Sequence, residues 1–288
     1  MHIGQLIAKQ SSPFVSLEFF PPKDEGTLAD FYQVVEKLQS LSPLFVSVTY
    51  GAGGTNQDNT LKVTAKLASM GLNIMAHLTC VGSSNERIAK FLQDLLSVGV
   101  DNVLALRGDA PKDKEMPPSK FKYASDLIAF IRQEESQMGI GCACYPTPHP
   151  ESLTYEIDRK YAHHKLILAD FAITQLFFDV REYLALVSDL KKMGINKPII
   201  PGIITLQSFG ALKRILSLSG ANIPGKLYLS LEEANEKGGA AAVREAGIRF
   251  AAEQIRRLLD NDAPGVHLYT LNRADICLEL MDRVGLKS

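Results

Sequence analysis

The sequence has no charge to spare in either sign: 31 Lys and Arg stand against 32 Asp and Glu, a formal net charge of −1. The electrostatic footprint of a protein that grips DNA, RNA or an anionic membrane surface is therefore missing. Cysteine is scarce, and Cys80, Cys142, Cys144 and Cys277 show no C-x-x-C spacing. That argues against a disulfide scaffold or structural zinc and fits a reducing cytosol. No basic-then-apolar stretch precedes Pro13, so no signal peptide is expected. No apolar run approaches the roughly 20 residues of a membrane span, and the chain reads as cytoplasmic. The Gly51-Ala52-Gly53-Gly54 run is not the G-x-G-x-x-G of a Rossmann dinucleotide site, and the Walker A and zinc-protease motifs are absent. No histidine–carboxylate cluster argues for a metal.

What is present is ordinary globular usage, with 46% hydrophobic and 22% charged residues, enough to bury a large core. Short β-rich apolar runs alternate with longer amphipathic stretches. Strands are expected at about 14–20, 45–49, 74–79, 103–107, 140–145, 171–178, 199–204 and 266–270, and the first helix at about 28–41. Strands that alternate with helices pair in parallel through right-handed crossovers. Eight such units over 288 residues fit a single (β/α)₈ barrel domain, 1–288, better than an open doubly wound sheet. The long interval 205–264 must hold extra helices between strands seven and eight.

In such barrels chemistry sits at the C-terminal ends of the strands. There the sequence places Glu18, Thr49 with Tyr50, His77 with Thr79, Arg107-Gly108-Asp109, Tyr145 with His149, Gln175, Gln207 with Phe209, and Tyr269 with Arg273. Glu18 is a lone carboxylate inside Leu17-Glu18-Phe19-Phe20. Loss of hydration there raises a carboxyl pKa, which suits a proton donor near neutral pH. The residues alone leave a second reading open, an interior glutamate ion-paired with Arg107 or Arg273. Gly108 permits a tight turn or close approach of a ligand, or simply ends a strand. Cys142 and Cys144 read as small core residues.

Six segments taken together carry a family resemblance. Leu17-Glu18-Phe19-Phe20-Pro21-Pro22-Lys23, Ser47-Val48-Thr49-Tyr50-Gly51-Ala52-Gly53-Gly54 and His77-Leu78-Thr79-Cys80 closely resemble the methylenetetrahydrofolate reductase family. So do Ala105-Leu106-Arg107-Gly108-Asp109, Thr174-Gln175-Leu176-Phe177-Phe178-Asp179 and Tyr269-Thr270-Leu271-Asn272-Arg273. The segments occur in order, and the resemblance runs from about residue 14 to 285. It implies a (β/α)₈ barrel that binds FAD noncovalently without a Rossmann unit. The implied reaction is reduction of 5,10-methylenetetrahydrofolate to 5-methyltetrahydrofolate with NADH or NADPH, a supply of methyl groups for methionine synthesis.

By the same resemblance Glu18 is the general acid that protonates folate N10, opening the five-membered ring to an iminium that accepts the hydride. Asp109 is the carboxylate beside flavin and pterin, and Gln175 a pterin-contacting amide. Phe209, Tyr269 and Arg273 belong to a pocket shared by folate and nicotinamide. Thr49, His77, Arg107, Gly108, Asp109, Tyr145, His149, Asp158 and Lys165 match flavin-binding positions. Thr147 departs from the family, which usually has an acidic residue there. A homo-oligomer is implied, and with the chain stopping at Ser288 no S-adenosylmethionine-responsive regulatory domain is expected. A flavin-free lyase with a Schiff-base lysine is disfavoured because no strand core presents a lysine. A non-catalytic folate-binding barrel is disfavoured because Glu18 and Asp109 are both in place.

Overall fold

Isoleucine, valine and leucine lead in the short apolar runs, and in the computed structural model these runs pair in parallel. The structure describes residues 1–22, 24–49, 57–109 and 120–286. Tyr50 and the Gly51–Gly54 run lie outside the described residues. The strands are β1 (Phe14–Phe19), β2 (Phe45–Val48), β3 (Ile74–Thr79), β4 (Asn102–Leu106), β5 (Gly139–Cys144), β6 (Phe171–Thr174), β7 (Ile199–Ile200), β8 (Gly202–Ile204) and β9 (Gly265–Tyr269). They run in the order β7-β6-β5-β4-β3-β2-β1-β9-β8.

The ninth segment comes from a break, not from an extra unit. β7 and β8 are two halves of the expected seventh strand, parted by Pro201, which has no N–H to give the ladder. The first half pairs with β6 and the second with β9, so together they bring the ring round. At the break the Pro201 carbonyl accepts the His267 N–H at 2.9 Å, and the Thr174 hydroxyl accepts the Gly202 N–H at 2.9 Å. The fold is the (β/α)₈ barrel that the alternation implied. The sixth strand is shorter than expected: it ends at Thr174, and Phe177 and Phe178 leave the sheet to pack, buried, in the surrounding core.

The helices are α1 (Ile3–Ala8), α2 (Leu28–Gln39), α3 (Gln57–Ser69), α4 (Asn85–Ser97), α5 (Ala124–Glu134), α6 (Tyr155–Leu168), α7 (Val180–Lys192), α8 (Phe209–Ser219), α9 (Gly225–Leu259) and α10 (Ala274–Val284). The long interval before β9 does hold extra helices, α8 and α9, and α9 is interrupted at Gly239, whose φ of 60° and ψ of −149° are not helical. Among the described residues no helix is long and apolar enough to cross a membrane.

Alternation along each strand divides the apolar residues between two cores. Outward-facing Val15, Leu17, Phe19, Val46, Val48, Val103 and Ala105 pack against the helices, and Cys142 and Cys144 join them as free, buried thiols whose pKa values burial pushes up. Inward-facing Phe14, Phe45, Met75, Leu104, Phe171, Ile173 and Ile200 fill the lower barrel. Helix α1, which the pattern of the sequence did not announce, closes that end with Ile3 and Ile7, and its Ile3 N–H is accepted by Asn102 Oδ1 at 2.8 Å.

Ile3 is completely buried, so Ile3→Ala should open a cavity in the barrel floor and cost about 2–5 kcal/mol in urea unfolding. Ile167→Ala, at a residue 53% exposed, should stay within about 0.5 kcal/mol of the parent.

Candidate active site

Above the apolar floor the barrel interior turns polar. Ser16 and Glu18 are inward positions of β1; Ser47 of β2 pairs with Glu18, His267 and Tyr269 of β9 pair with Ser16 and Glu18, and His77 of β3 stands two residues beyond Met75, which pairs with Ser47. His77 Nε2 lies 3.3 Å and His267 Nε2 3.6 Å from Glu18 Oε2. Beneath, His267 Nδ1 is 2.8 Å from Ser16 Oγ, and its ring stacks on Phe45 at 5.9 Å. Ser47 Oγ is 3.4 Å from His267 Nε2. His77 Nε2 is buried with no well-angled hydrogen-bond partner.

The state of Glu18 differs from the expectation of a carboxyl kept protonated by burial. Burial does push its pKa up, but the charges and hydrogen bonds of His77 and His267 outweigh it and bring the value down to about 2. Burial pushes His267 below the ordinary imidazole value, against the upward pull of Glu18. The ion-pair partners are also different: Arg107 binds Glu151 and Arg273 binds Asp275, so neither reaches Glu18.

Two contacts fix the Glu18 backbone at the lip. Thr270 Oγ1 donates to the Glu18 carbonyl at 2.5 Å. Asn272 brackets Phe20, accepting its N–H at 3.1 Å and donating to its carbonyl at 2.8 Å. To do so Leu271 and Asn272 both take left-handed conformations, with φ of 49° and 56°, an unfavourable backbone that the bracket holds.

Glu18 and His77 line a cavity of about 680 Å³ together with Arg107, Gly108, Asp109, Tyr145, His149, Asp158, Lys165, Gln175 and Tyr269. Gly108 turns the chain with φ of 81° and lies against Thr79, where a Cβ would come within 2.9 Å of the threonine. Lys165 Nζ donates to the Ala143 carbonyl at 2.5 Å, and the Tyr269 phenol to the Thr174 carbonyl at 2.6 Å. Burial pushes the Tyr145 phenol up to about 12.

Residues 2–285 match the family model for methylenetetrahydrofolate reductase. The chain belongs to that family. It is 37% identical over 96% of its length to a Caenorhabditis elegans protein called "Probable methylenetetrahydrofolate reductase (NADPH)", of which it covers 43%. It is 31% identical over 95% of its length to the 5,10-methylenetetrahydrofolate reductase of Pectobacterium carotovorum, of which it covers 90%. The chain thus spans about half the length of the curated eukaryotic relatives it matches. A Clostridium thermocellum protein described as binding two copies of 5-methyl-5,6,7,8-tetrahydrofolic acid superposes with a TM-score of 0.68, covering 99% of this chain and all of that one, at 14% identity, a likeness of fold.

Of the positions matched to this reductase family, Thr49, Phe209 and Arg273 stand outside the lining that the described residues form. Thr49 bonds back to Phe19 at the end of β2. Phe209 packs edge-on to Tyr228, and Arg273 donates to Gln207 and Asp275. Asp158, buried, accepts from the His149 N–H and the Ser152 hydroxyl, so its carboxylate shapes a loop of its own chain. Thr147 donates to Glu182 of α7, which also accepts from Asn222.

Sequence reasoning missed Ser16, Ser47, His267 and Glu151. The period of two was the available signal for the first three, since each lies in the inward phase of a strand already drawn.

An ionised Glu18 stabilises the fold at neutral pH, and that contribution disappears as the medium is acidified through the window from the ordinary value of 4.5 to about 2. Glu18→Gln should flatten the acid limb of the unfolding free energy in that window, as measured by urea melts at successive pH values. An unchanged slope would contradict the ionised state.

Proposed function

We propose that the chain reduces 5,10-methylenetetrahydrofolate to 5-methyltetrahydrofolate, with NADH or NADPH as hydride source and noncovalent FAD as carrier, each co-substrate visiting the flavin in turn. The observation that carries this reading is the Glu18–His77–His267 cluster, whose Glu18 and His77 line the cavity, in a chain of this family.

The lining suits a flavin dinucleotide. A volume of about 680 Å³ is within the range of cofactor sites, and Arg107 and Lys165 offer cations to phosphates. Bound there, FAD supplies the two-electron hydride chemistry, which no side chain offers. Arg107, Lys165, Tyr145 and His149 bind and orient the dinucleotide, with Thr49 and Gly108 as further contacts and Asp158 fixing the loop that carries His149. Asp109 and Gln175 hold the pterin, and Phe209, Tyr269 and Arg273 the remainder of the folate or the nicotinamide.

Glu18 gives a proton to folate N10 as the bond from that nitrogen to the methylene carbon breaks. His77 and His267 hold the carboxylate ionised in the free protein, so Glu18 takes up its proton from water as the folate binds, before N10 leaves. Ser16, behind His267, keeps that ring in place. The methyl product serves methionine synthesis, and the reaction takes place in the cytoplasm by a homo-oligomer of the chain.

Purified protein should be yellow, should bleach anaerobically on addition of NADH or NADPH, and should recolour with methylenetetrahydrofolate. Stopped-flow traces with each nucleotide identify the preferred donor. Glu18→Gln should bleach at nearly the parent rate and lose about 10²–10⁴-fold in the folate step, since only that step takes up the donated proton. Equal damage to both steps would remove Glu18 from the role of acid, and a colourless protein indifferent to added FAD would sink the flavin reading.

A further inference from the structure

Arg107, the cation at the end of β4, is already engaged. Its Nη1 donates to Glu151 Oε2 at 2.5 Å and its Nη2 to Glu151 Oε1 at 2.7 Å, a two-pronged contact between planar groups. A carboxylate so placed shows the guanidinium the same pair of oxygens that a phosphoryl group shows it. The Glu151 carboxyl is held below the usual carboxylate range by its hydrogen bond to Arg107, so it carries full charge at neutral pH.

The loop that bears Glu151 does not depend on this contact. Buried Arg159 donates to the carbonyls of Tyr145 and Pro146, and Asp158 accepts from His149 and Ser152. The Glu151 N–H is taken by His149 Nδ1 at 3.1 Å. The Glu151 side chain is 62% exposed, so it can swing into solvent while every one of these bonds stays made. Exposed pairs of this kind are weak, which is what an exchangeable partner requires.

We propose that Glu151 is a resident anion: it occupies Arg107 until a ligand phosphoryl group displaces it, so dinucleotide affinity is set by exchange of a protein carboxylate for a ligand phosphate. This rests on the flavin reading above and adds to it a residue that opposes binding. The exchange acts only on ligands that carry phosphate. A ligand with the same ring system and no phosphate enters without disturbing the pair.

Flavin-free protein titrated with FAD and with riboflavin, followed by flavin fluorescence, tests this. Glu151→Gln keeps the size and removes the charge; it should tighten FAD by about threefold and leave riboflavin unchanged. In an Arg107→Gln background the same substitution should have no effect on FAD. The inference is overturned if Glu151→Gln leaves FAD unchanged or weaker, if riboflavin tightens by the same factor, or if the gain survives without Arg107. Parent protein that takes up neither flavin overturns the flavin reading and this inference with it; parent protein that binds both, with no gain in the variant, overturns this inference alone. A thermal melt showing parent-like unfolding of Glu151→Gln separates loss of binding from loss of fold.

Discussion

A carboxylate placed inside a barrel is tolerated only where its charge is answered, and Glu18 is answered from two other strands. His267 comes from β9, the immediate neighbour of β1, and His77 from β3, on the far side of β2. Neither imidazole is near Glu18 in sequence, so the pairing exists only once the strands have closed round it. Removing one partner from such a cluster leaves a buried charge partly unpaired, which is costly. Ring closure and the chemistry at its mouth are therefore one constraint: the same register that pairs Ser16 with His267 and Glu18 with Tyr269 sets both.

The interior is graded along the barrel axis. Phenylalanine, methionine, leucine and isoleucine side chains fill the end closed by α1, serines and His267 form a buried polar layer above them, and Glu18, His77 and Tyr269 open onto the cavity. The apolar end lets the polar layer be dry, and dryness is what makes each imidazole contact strong enough to outweigh the burial of Glu18. Beyond the polar layer the cavity is lined by charged and polar side chains such as Arg107, Asp109 and Lys165. Arg107 and Asp109 follow β4 and Lys165 stands on α6, so the charged groups of the cavity come from separate units of the barrel.

Much of this was legible in the sequence. All eight barrel strands could be drawn because β-branched and aromatic runs were bounded by turns, and the six ordered segments pointed to the family. The break at Pro201 was hidden because Ile199-Ile200-Pro201-Gly202-Ile203-Ile204 reads as one apolar run, and only pairing with two different neighbours reveals two halves. Helix α1 is six residues long, too short to show a period. Glu18 was found as the odd polar residue in an apolar strand, yet the direction of its pKa was misjudged: burial is a local property that a sequence displays, whereas the opposing imidazoles arrive through tertiary contact. Glu151 escaped for the same reason, since its meaning depends on a guanidinium 44 positions away.

The interruption at Pro201 has a mechanical side. On the β9 side the ladder runs on, but toward β6 the link beyond Pro201 passes through a threonine hydroxyl holding Gly202 and a tyrosine phenol holding the Thr174 carbonyl. Side-chain stitches pivot about their own torsions, while a peptide ladder does not. Side chains thus hold the β6–β8 seam immediately before the chain departs into α8, and only β9 stands between that seam and the strand that carries Glu18.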